Sequence, residues 1–253
     1  MTGSALVLDG VGHAFGGFQV LSGGRFEVPK GGLVGLIGPN GSGKTTLFNI
    51  VSGFIPPKWG RVLWCGTDLA GRSVEARSRM GLVRTFQTPK VFEHLTVLEN
   101  VMVGLYRKTR TGIVQAMLRT GASRAEVLSM AHQARAVCEQ FGLGSFVEKV
   151  AGSLTAGQRR NLELARVQVG APELLMLDEP SSGLSQDEVE SLKASLCKLN
   201  EAGLTILLVT HDMDLMAIAQ CVHVLSAGEI IASGTMQDMQ RNPQVQQVYL
   251  GID

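Results

Sequence analysis

The sequence predicts an α/β fold: a mainly parallel sheet covered on both faces, an antiparallel β segment at the N-terminus and an inserted α-helical subdomain in the middle. Three observations predict it. The short apolar runs Leu33–Ile37, Leu174–Leu177 and Leu204–Val209 are each followed by a helical pattern, as buried parallel strands require. Strand-like runs vanish between about Thr88 and Gly152, where apolar residues recur at helical spacing instead. The opening residues read as two strands punctuated by paired glycines.

Taken in order, Ala5–Leu8 and Gly24–Val28 are the antiparallel strands, broken by Gly16-Gly17 and Gly23-Gly24. Leu33–Ile37 is closed by Gly38-Pro39, and a helix follows from Gly43 to about Ser52, ended by Gly53 and then Pro56-Pro57. In the middle segment Ser123 with Glu126 has capping-box spacing, and Leu128, Ala131, Ala134, Cys138 and Phe141 form the inward stripe of a helix of about five turns. From Gln158 a helix runs to about Val169, leading into the strand Leu174–Leu177. A second capping box, Ser185 with Glu188, opens the next helix. The strand Leu204–Val209, a short helix and strands near Val222–Leu225 and Ile230-Ile231 complete the chain.

Bulk properties narrow the class. With 253 residues, 45% apolar and 18% charged, the chain has ample material for a core and none of the signs of disorder. A formal net charge of +1 gives no reason to expect a nucleic-acid partner. No apolar stretch approaches the roughly 20 residues of a spanning helix, and no signal peptide opens the sequence. Cys65, Cys138, Cys197 and Cys221 are scattered without CxxC spacing, which suits reduced thiols buried as small hydrophobes.

Two motifs carry the chemistry. Gly38-Pro39-Asn40-Gly41-Ser42-Gly43-Lys44-Thr45 fits G-x-x-x-x-G-K-[ST] and lies between a buried strand and a helix, where the phosphate-loop mechanism needs it. Small residues let backbone N–H groups converge on phosphate oxygens at a helix N-terminus. Lys44 then reaches the β/γ-phosphates, and the Thr45 hydroxyl holds Mg²⁺. Further on, a buried strand ends in Asp178-Glu179, followed by Pro180-Ser-Ser-Gly. Asp178 can hold Mg²⁺ through water, and Glu179 can orient and polarise the attacking water. The core is therefore expected to be that of a P-loop NTPase that binds a nucleotide with Mg²⁺.

Leu154-Thr155-Ala156-Gly157-Gln158, shortly before that strand, resembles the ABC signature LSGGQ. With Gly38–Thr45, Gln87, Asp178-Glu179, Ser182-Gly-Leu-Ser185 and His211 in order, nearly the whole chain is similar to an ABC transporter ATP-binding subunit. The resemblance implies further roles. Phe15 matches the aromatic residue that stacks on adenine, and Thr46 joins the phosphate loop. Gln87, in Arg84-Thr-Phe-Gln87, matches the glutamine that contacts Mg²⁺ and links the site to the helical subdomain. His211 matches the switch histidine at the γ-phosphate. The signature acts in trans, so two subunits dimerise head to tail. Thr155 and Gln158 have capping-box spacing, which leaves Gly157 and its neighbours at a helix start, ready for a partner's γ-phosphate.

Within the family, Phe15-Gly-Gly-Phe18, Arg84–Phe92, Leu95–Gly104 and the segment around Thr109–Val114 resemble the ATPases of branched-chain amino-acid type importers. Lipid and lipopolysaccharide exporter ATPases are the alternative. The import reading implies transmembrane permease chains, a second and different ATPase subunit, an extracytoplasmic substrate-binding protein, and a peripheral place on the cytoplasmic face of the inner membrane. The chain divides as a single domain: 1–87 the nucleotide-binding core with the antiparallel part, 88–157 the helical subdomain with the signature, 158–253 the core with Asp178 and His211. The segment Thr88–Leu95, with Val91 and Phe92, is expected to form the socket for a permease helix. Two departures stand out: Thr155-Ala156 where Ser-Gly is usual, and Ser185 where Asp is commonest. Between Glu99 and Glu126 there is no acid, while Arg107, Lys108, Arg110, Arg119 and Arg124 make a basic surface.

Overall fold

The computed structural model describes residues 4–105 and 121–250. Of the basic segment, Arg107, Lys108, Arg110 and Arg119 lie outside the described residues, as do Thr109–Val114 and the side chain of Arg124. The chain forms two compact units: Met1–Gln87, Glu173–Ser182 and Leu196–Asp253 make the first, and Thr88–Pro172 and Gly183–Ser195 the second.

The first unit holds two sheets. β1 (Ser4–Phe15) pairs antiparallel with β2 (Phe18–Pro29) and with β4 (Trp59–Trp64), which pairs in turn with β5 (Thr67–Asp68). β2 does not break at Gly23-Gly24. The pair is absorbed in a register shift where Val11 faces Gly24 and Gly12 faces Ser22, because a bulge accommodates extra glycine backbone without ending the ladder. The second sheet has the order β10-β9-β3-β8-β7-β6. β3 (Leu33–Ile37), β8 (Thr205–Val209), β7 (Leu174–Asp178) and β6 (Leu82–Arg84) run parallel, as does β9 (Cys221–Ser226) beside β3. Only β10 (Glu229–Gly234) is antiparallel. Every residue of β3 and β8 is buried, which is why these strands read as unbroken apolar runs.

α1 (Lys44–Ser52) leaves β3 and stops at Gly53, which takes the left-handed conformation and donates its N–H to the Ile50 carbonyl. Its buried Phe48, Ile50 and Val51 join residues of both sheets in one apolar cluster. Shorter helices complete this unit: α2 (Val74–Arg79), α7 (Met213–Met216), α8 (Met236–Arg241) and α9 (Pro243–Leu250). Among the described residues no helix is long and apolar enough to cross a membrane. Cys65 is exposed in a turn with φ 46°, contrary to the expectation that the cysteines serve as buried hydrophobes. Cys138 meets it, with burial pushing its thiol up to about 11.

The second unit is built on α3 (Val97–Leu105), α4 (Gly121–Gln140) and α5 (Ala156–Val169), which pack on one another. α6 (Gln186–Glu201) begins in this unit and ends in the first. α5 belongs with α3 and α4, so the second unit extends to Pro172, past the sequence division at 157/158. Ser123 does not cap α4, which already runs from Gly121. Ala134, Cys138 and Phe141 are buried as the periodicity requires, but Leu128 is 71% exposed. Periodicity defines a face of a helix; it does not say how far along that face a neighbour extends.

α5 also carries a buried ion pair. Arg160 Nη1 donates to Glu163 Oε2 at 2.5 Å, with the two side chains 1% and 3% exposed. Burial raises the Glu163 carboxyl and lowers the Arg160 guanidinium, each shift opposed by the partner's charge. Removing Glu163 therefore takes from the buried guanidinium its ion-pair partner. Glu163→Ala should lower unfolding free energy by about 3–5 kcal/mol, and a Met/Leu replacement of both residues should recover most of the loss. Urea denaturation monitored by circular dichroism measures both.

Candidate functional site

The Gly38–Gly43 loop is compressed. A Cβ on Gly38 would stand 2.1 Å from the Leu225 carbonyl oxygen, and Gly43, at φ 109°, would put one 2.7 Å from Leu21 and 2.9 Å from the Val20 oxygen. Only glycine fits either position. α1 starts at Lys44 with no side-chain cap and no acid in its first turn, so its leading N–H groups remain open to an anion. The Ser42 hydroxyl is buried with no hydrogen-bond partner, an orphan donor inside the loop. Lys44 Nζ donates to the Gly38 and Pro39 carbonyls at 2.7 and 2.9 Å, arching back across the loop. Burial lowers its pKa, while Glu179 and Asp178 pull it up. Asn40, Gly41 and Thr45 are exposed and Thr46 is half-buried. These features fit a phosphate chain: a Cβ-free cradle, open donors at a helix start and one cation arched across the loop.

Asp178 ends β7, and Glu179 follows with φ 48°, the left-handed region, where a side chain costs about 1–3 kcal/mol. The Glu179 N–H donates to Val209 O at 2.8 Å, which holds that conformation against β8. His211 Nδ1 lies 2.8 Å from Glu179 Oε2, and the His211 backbone N–H donates to the same oxygen at 3.3 Å. The histidine ring is otherwise 82% exposed. Glu179 and His211 are thus a preformed pair on the ends of neighbouring strands.

Gln87 is exposed three residues beyond β6. Phe15, at the β1–β2 turn, is 54% exposed and meets the His13 ring in a T-shaped contact, with the ring centres 4.6 Å apart. A flat apolar face is left for a stacking ligand. The Thr45 hydroxyl, the Gln87 amide and the Asp178 carboxylate offer oxygen donors, the chemistry that fits Mg²⁺ alongside phosphates. Among the described residues there is no cluster of three or more His, Cys, Asp or Glu that could hold a metal ion.

The signature lies in the second unit. Leu154 is buried, and Thr155 caps α5 in a full capping box with Gln158. Thr155 and Ala156 are exposed and Gly157 is half-buried. A residue that sequence reading treated only as a cap intrudes here. Glu188 Oε1 accepts from the Gly157 N–H at 2.9 Å and from the Thr155 hydroxyl at 3.2 Å. Its Oε2 accepts from the Ser185 N–H at 3.1 Å, completing the expected second capping box. Hydrogen bonds from Ser185 and Gly157 hold its carboxyl below the usual range. A cavity of about 270 Å³, lined by Gln158, Asn161, Leu184 and Asp187 among others, adjoins it. The other residue without an assigned role is Arg84, whose guanidinium pairs with Asp178. A cation ending a strand just before Gln87 is its sequence signal.

A glycine cradle on a helix start, a carboxylate pair at the end of the next-but-one strand and a capped signature helix define an ATP-binding cassette. Residues 21–182 match the family model described as ABC transporter, and the chain belongs to that family. Residues 229–253 match a second, described as Branched-chain amino acid ATP-binding cassette transporter. The chain is 37% identical over 253 residues to the high-affinity branched-chain amino acid transport ATP-binding protein BraF of Pseudomonas aeruginosa, covering 99% of each. It is equally similar to LivG of Escherichia coli K12, and 33% identical over 240 residues to a probable LivG of Archaeoglobus fulgidus, covering 94% of this chain and 91% of that one. Among solved structures, a nucleotide-free cassette from an ABC transporter aligns with a TM-score of 0.84 at 28% identity, and one in an ADP conformation with 0.85 at 29%. Each covers 99% of this chain and all of its own.

Lys44→Ala should weaken ATP binding about 10- to 100-fold, the size of a charged hydrogen-bonded contact. Calorimetric titration with a non-hydrolysable ATP analogue measures this, and unchanged affinity would remove Lys44 from the site.

Proposed function

We propose that this chain is the ATP-hydrolysing subunit of an importer for branched-chain amino acids or related small carboxylate compounds. The observation that carries the reading is end-to-end identity with relatives named for that transport, together with the family match at the C-terminus. The lipid or lipopolysaccharide exporter alternative has no such support. In this reading the chain lies on the cytoplasmic face of the inner membrane, bound to permease chains, and works with a second ATPase subunit and an extracytoplasmic binding protein. The half-exposed Phe92, with half-buried Val91 and Leu95, supports the permease socket.

In the ATP site, Lys44, Ser42 and the N–H groups of the loop bind the phosphates, and Phe15 stacks on the base. Thr45, Asp178 and Gln87 would hold Mg²⁺, which neutralises charge on the phosphates when bound. Glu179 accepts a proton from the attacking water, and His211 orients Glu179 while contacting the γ-phosphate. Glu179→Gln should keep ATP affinity but lower turnover about 10²–10⁴-fold and abolish uptake of labelled leucine by vesicles containing the assembled transporter. Turnover near the wild-type rate would show that Glu179 is not the base; uptake of lipid rather than leucine would refute the import reading.

The signature completes a partner's site, and Glu188 bears on how. Its carboxylate occupies the Gly157 N–H and the Thr155 hydroxyl, the two groups that in this reading receive the γ-phosphate. An internal anion thus competes for the seat and must leave before a dimer closes on ATP. In a Glu179→Gln background, Glu188→Ala should lower the ATP concentration for half-maximal dimerisation by about two- to fivefold, the size of an exposed charged contact. Light scattering at fixed protein concentration reads this out, and an unchanged or higher midpoint would show that Glu188 does not compete.

A further inference from the structure

Arg84 ends β6, the strand that runs into Gln87, and its side chain is only 9% exposed. Nη2 donates to Asp178 Oδ2 at 2.8 Å. Nη1 donates to Asn49 Oδ1 at 2.6 Å and to Ser52 Oγ at 3.3 Å. The guanidinium carbon lies 5.4 Å from the Phe48 ring centre and 5.9 Å from those of Phe54 and Phe86, so aromatic rings hold the cation as well. Its Nε is buried with no hydrogen-bond partner among the described residues, a cost of about 1–3 kcal/mol. An apolar residue filling the same space would avoid that cost, so stability alone does not account for an arginine here.

We infer that Arg84 is a positioning residue for the metal side of the ATP site. The inference rests on the reading of Thr45, Asp178 and Gln87 as the Mg²⁺ donors. Arg84 ties together the segments that carry all three. Asn49 lies about one helical turn after Thr45 on α1, Asp178 is bound directly, and Gln87 follows on the same stretch of chain as Arg84. Fixing Oδ2 fixes the plane of the Asp178 carboxylate, and with it the direction of the lone pairs on Oδ1. Carboxylates that bind metals depend on such partners, whose loss costs about 10–100-fold in metal affinity. Lysine is no substitute: a single ammonium cannot span two acceptors in a plane and stack between rings.

The test compares the wild-type chain, Arg84→Lys and Asn49→Ala, each first shown to be folded by circular dichroism and thermal melting. Each is titrated with a fluorescent, non-hydrolysable ATP analogue, once with MgCl₂ and once with EDTA. In the wild type Mg²⁺ should tighten binding. In Arg84→Lys that gain should shrink about tenfold, with a smaller loss in Asn49→Ala, while the EDTA affinities stay within about twofold. Should Arg84→Lys fail to fold, Asn49→Ala carries the comparison, because it loosens the guanidinium without touching its charge. Equal weakening with and without Mg²⁺ would mean that Arg84 serves the fold alone and would overturn the inference, as would a Mg²⁺ gain that is unchanged or enlarged. Absence of any Mg²⁺ gain in the wild type would instead remove the metal reading of Thr45, Asp178 and Gln87, and the role of Arg84 with it.

Discussion

Parallel pairing of β3, β8 and β7 sets the chemistry of the first unit. With Leu36 opposite Val209, and Val209 opposite Asp178, the three strands end at one level and at one edge of the sheet. Each strand is then followed by a functional group: the glycine loop and Lys44 after β3, Asp178 and Glu179 closing β7, His211 after β8. β6 joins on the far side of β7 and brings Arg84 opposite Met176, with Gln87 just beyond. Burial of the strands on both faces makes this alignment rigid, since a slipped register would tear apolar side chains from a packed interior. The loops at that edge inherit their positions from the sheet rather than from their own contacts.

Charge is then concentrated where the strands end. Lys44 faces Asp178 and Glu179, Asp178 is paired with Arg84, and Glu179 meets His211. For Lys44, burial lowers the pKa while the charges of Glu179 and Asp178 raise it. The left-handed backbone at Glu179 belongs to the same pattern. The 2.8 Å bond to Val209 O holds a strained residue in the conformation that aims its carboxylate at His211. Such strain persists because the sheet on which it sits over-determines it.

The second unit uses a different device. Helix packing among α3, α4 and α5 brings the start of α5 into place, where the Thr155 hydroxyl accepts from the Gln158 N–H and the Gln158 side chain from the Thr155 N–H. Glu188 fills that end from α6. A carboxylate at a helix N-terminus is favoured by the helix dipole, and Glu188 sits there half-buried.

By itself the sequence determined the groups that are contiguous and the elements that are long. Gly38–Thr46, Asp178-Glu179, the Thr155–Gln158 box, the buried strands β3, β7 and β8 and the helices α1 and α5 are all legible, because spacing along the chain is the signal that defines them. It left unread the short strands β4, β5 and β6, whose pairing partners lie far away in sequence, as in Leu6 opposite Trp64. It could not tell that Leu128 stays exposed or that Cys65 sits in a turn, since burial depends on which neighbour covers a face. Above all, tertiary structure alone decided the charge partners. Arg84 and Asp178 are 94 positions apart, and Gly157 and Glu188 are 31 apart. Local pattern carries no record of such contacts, because they arise only when the sheet and the helices bring distant segments within hydrogen-bonding distance.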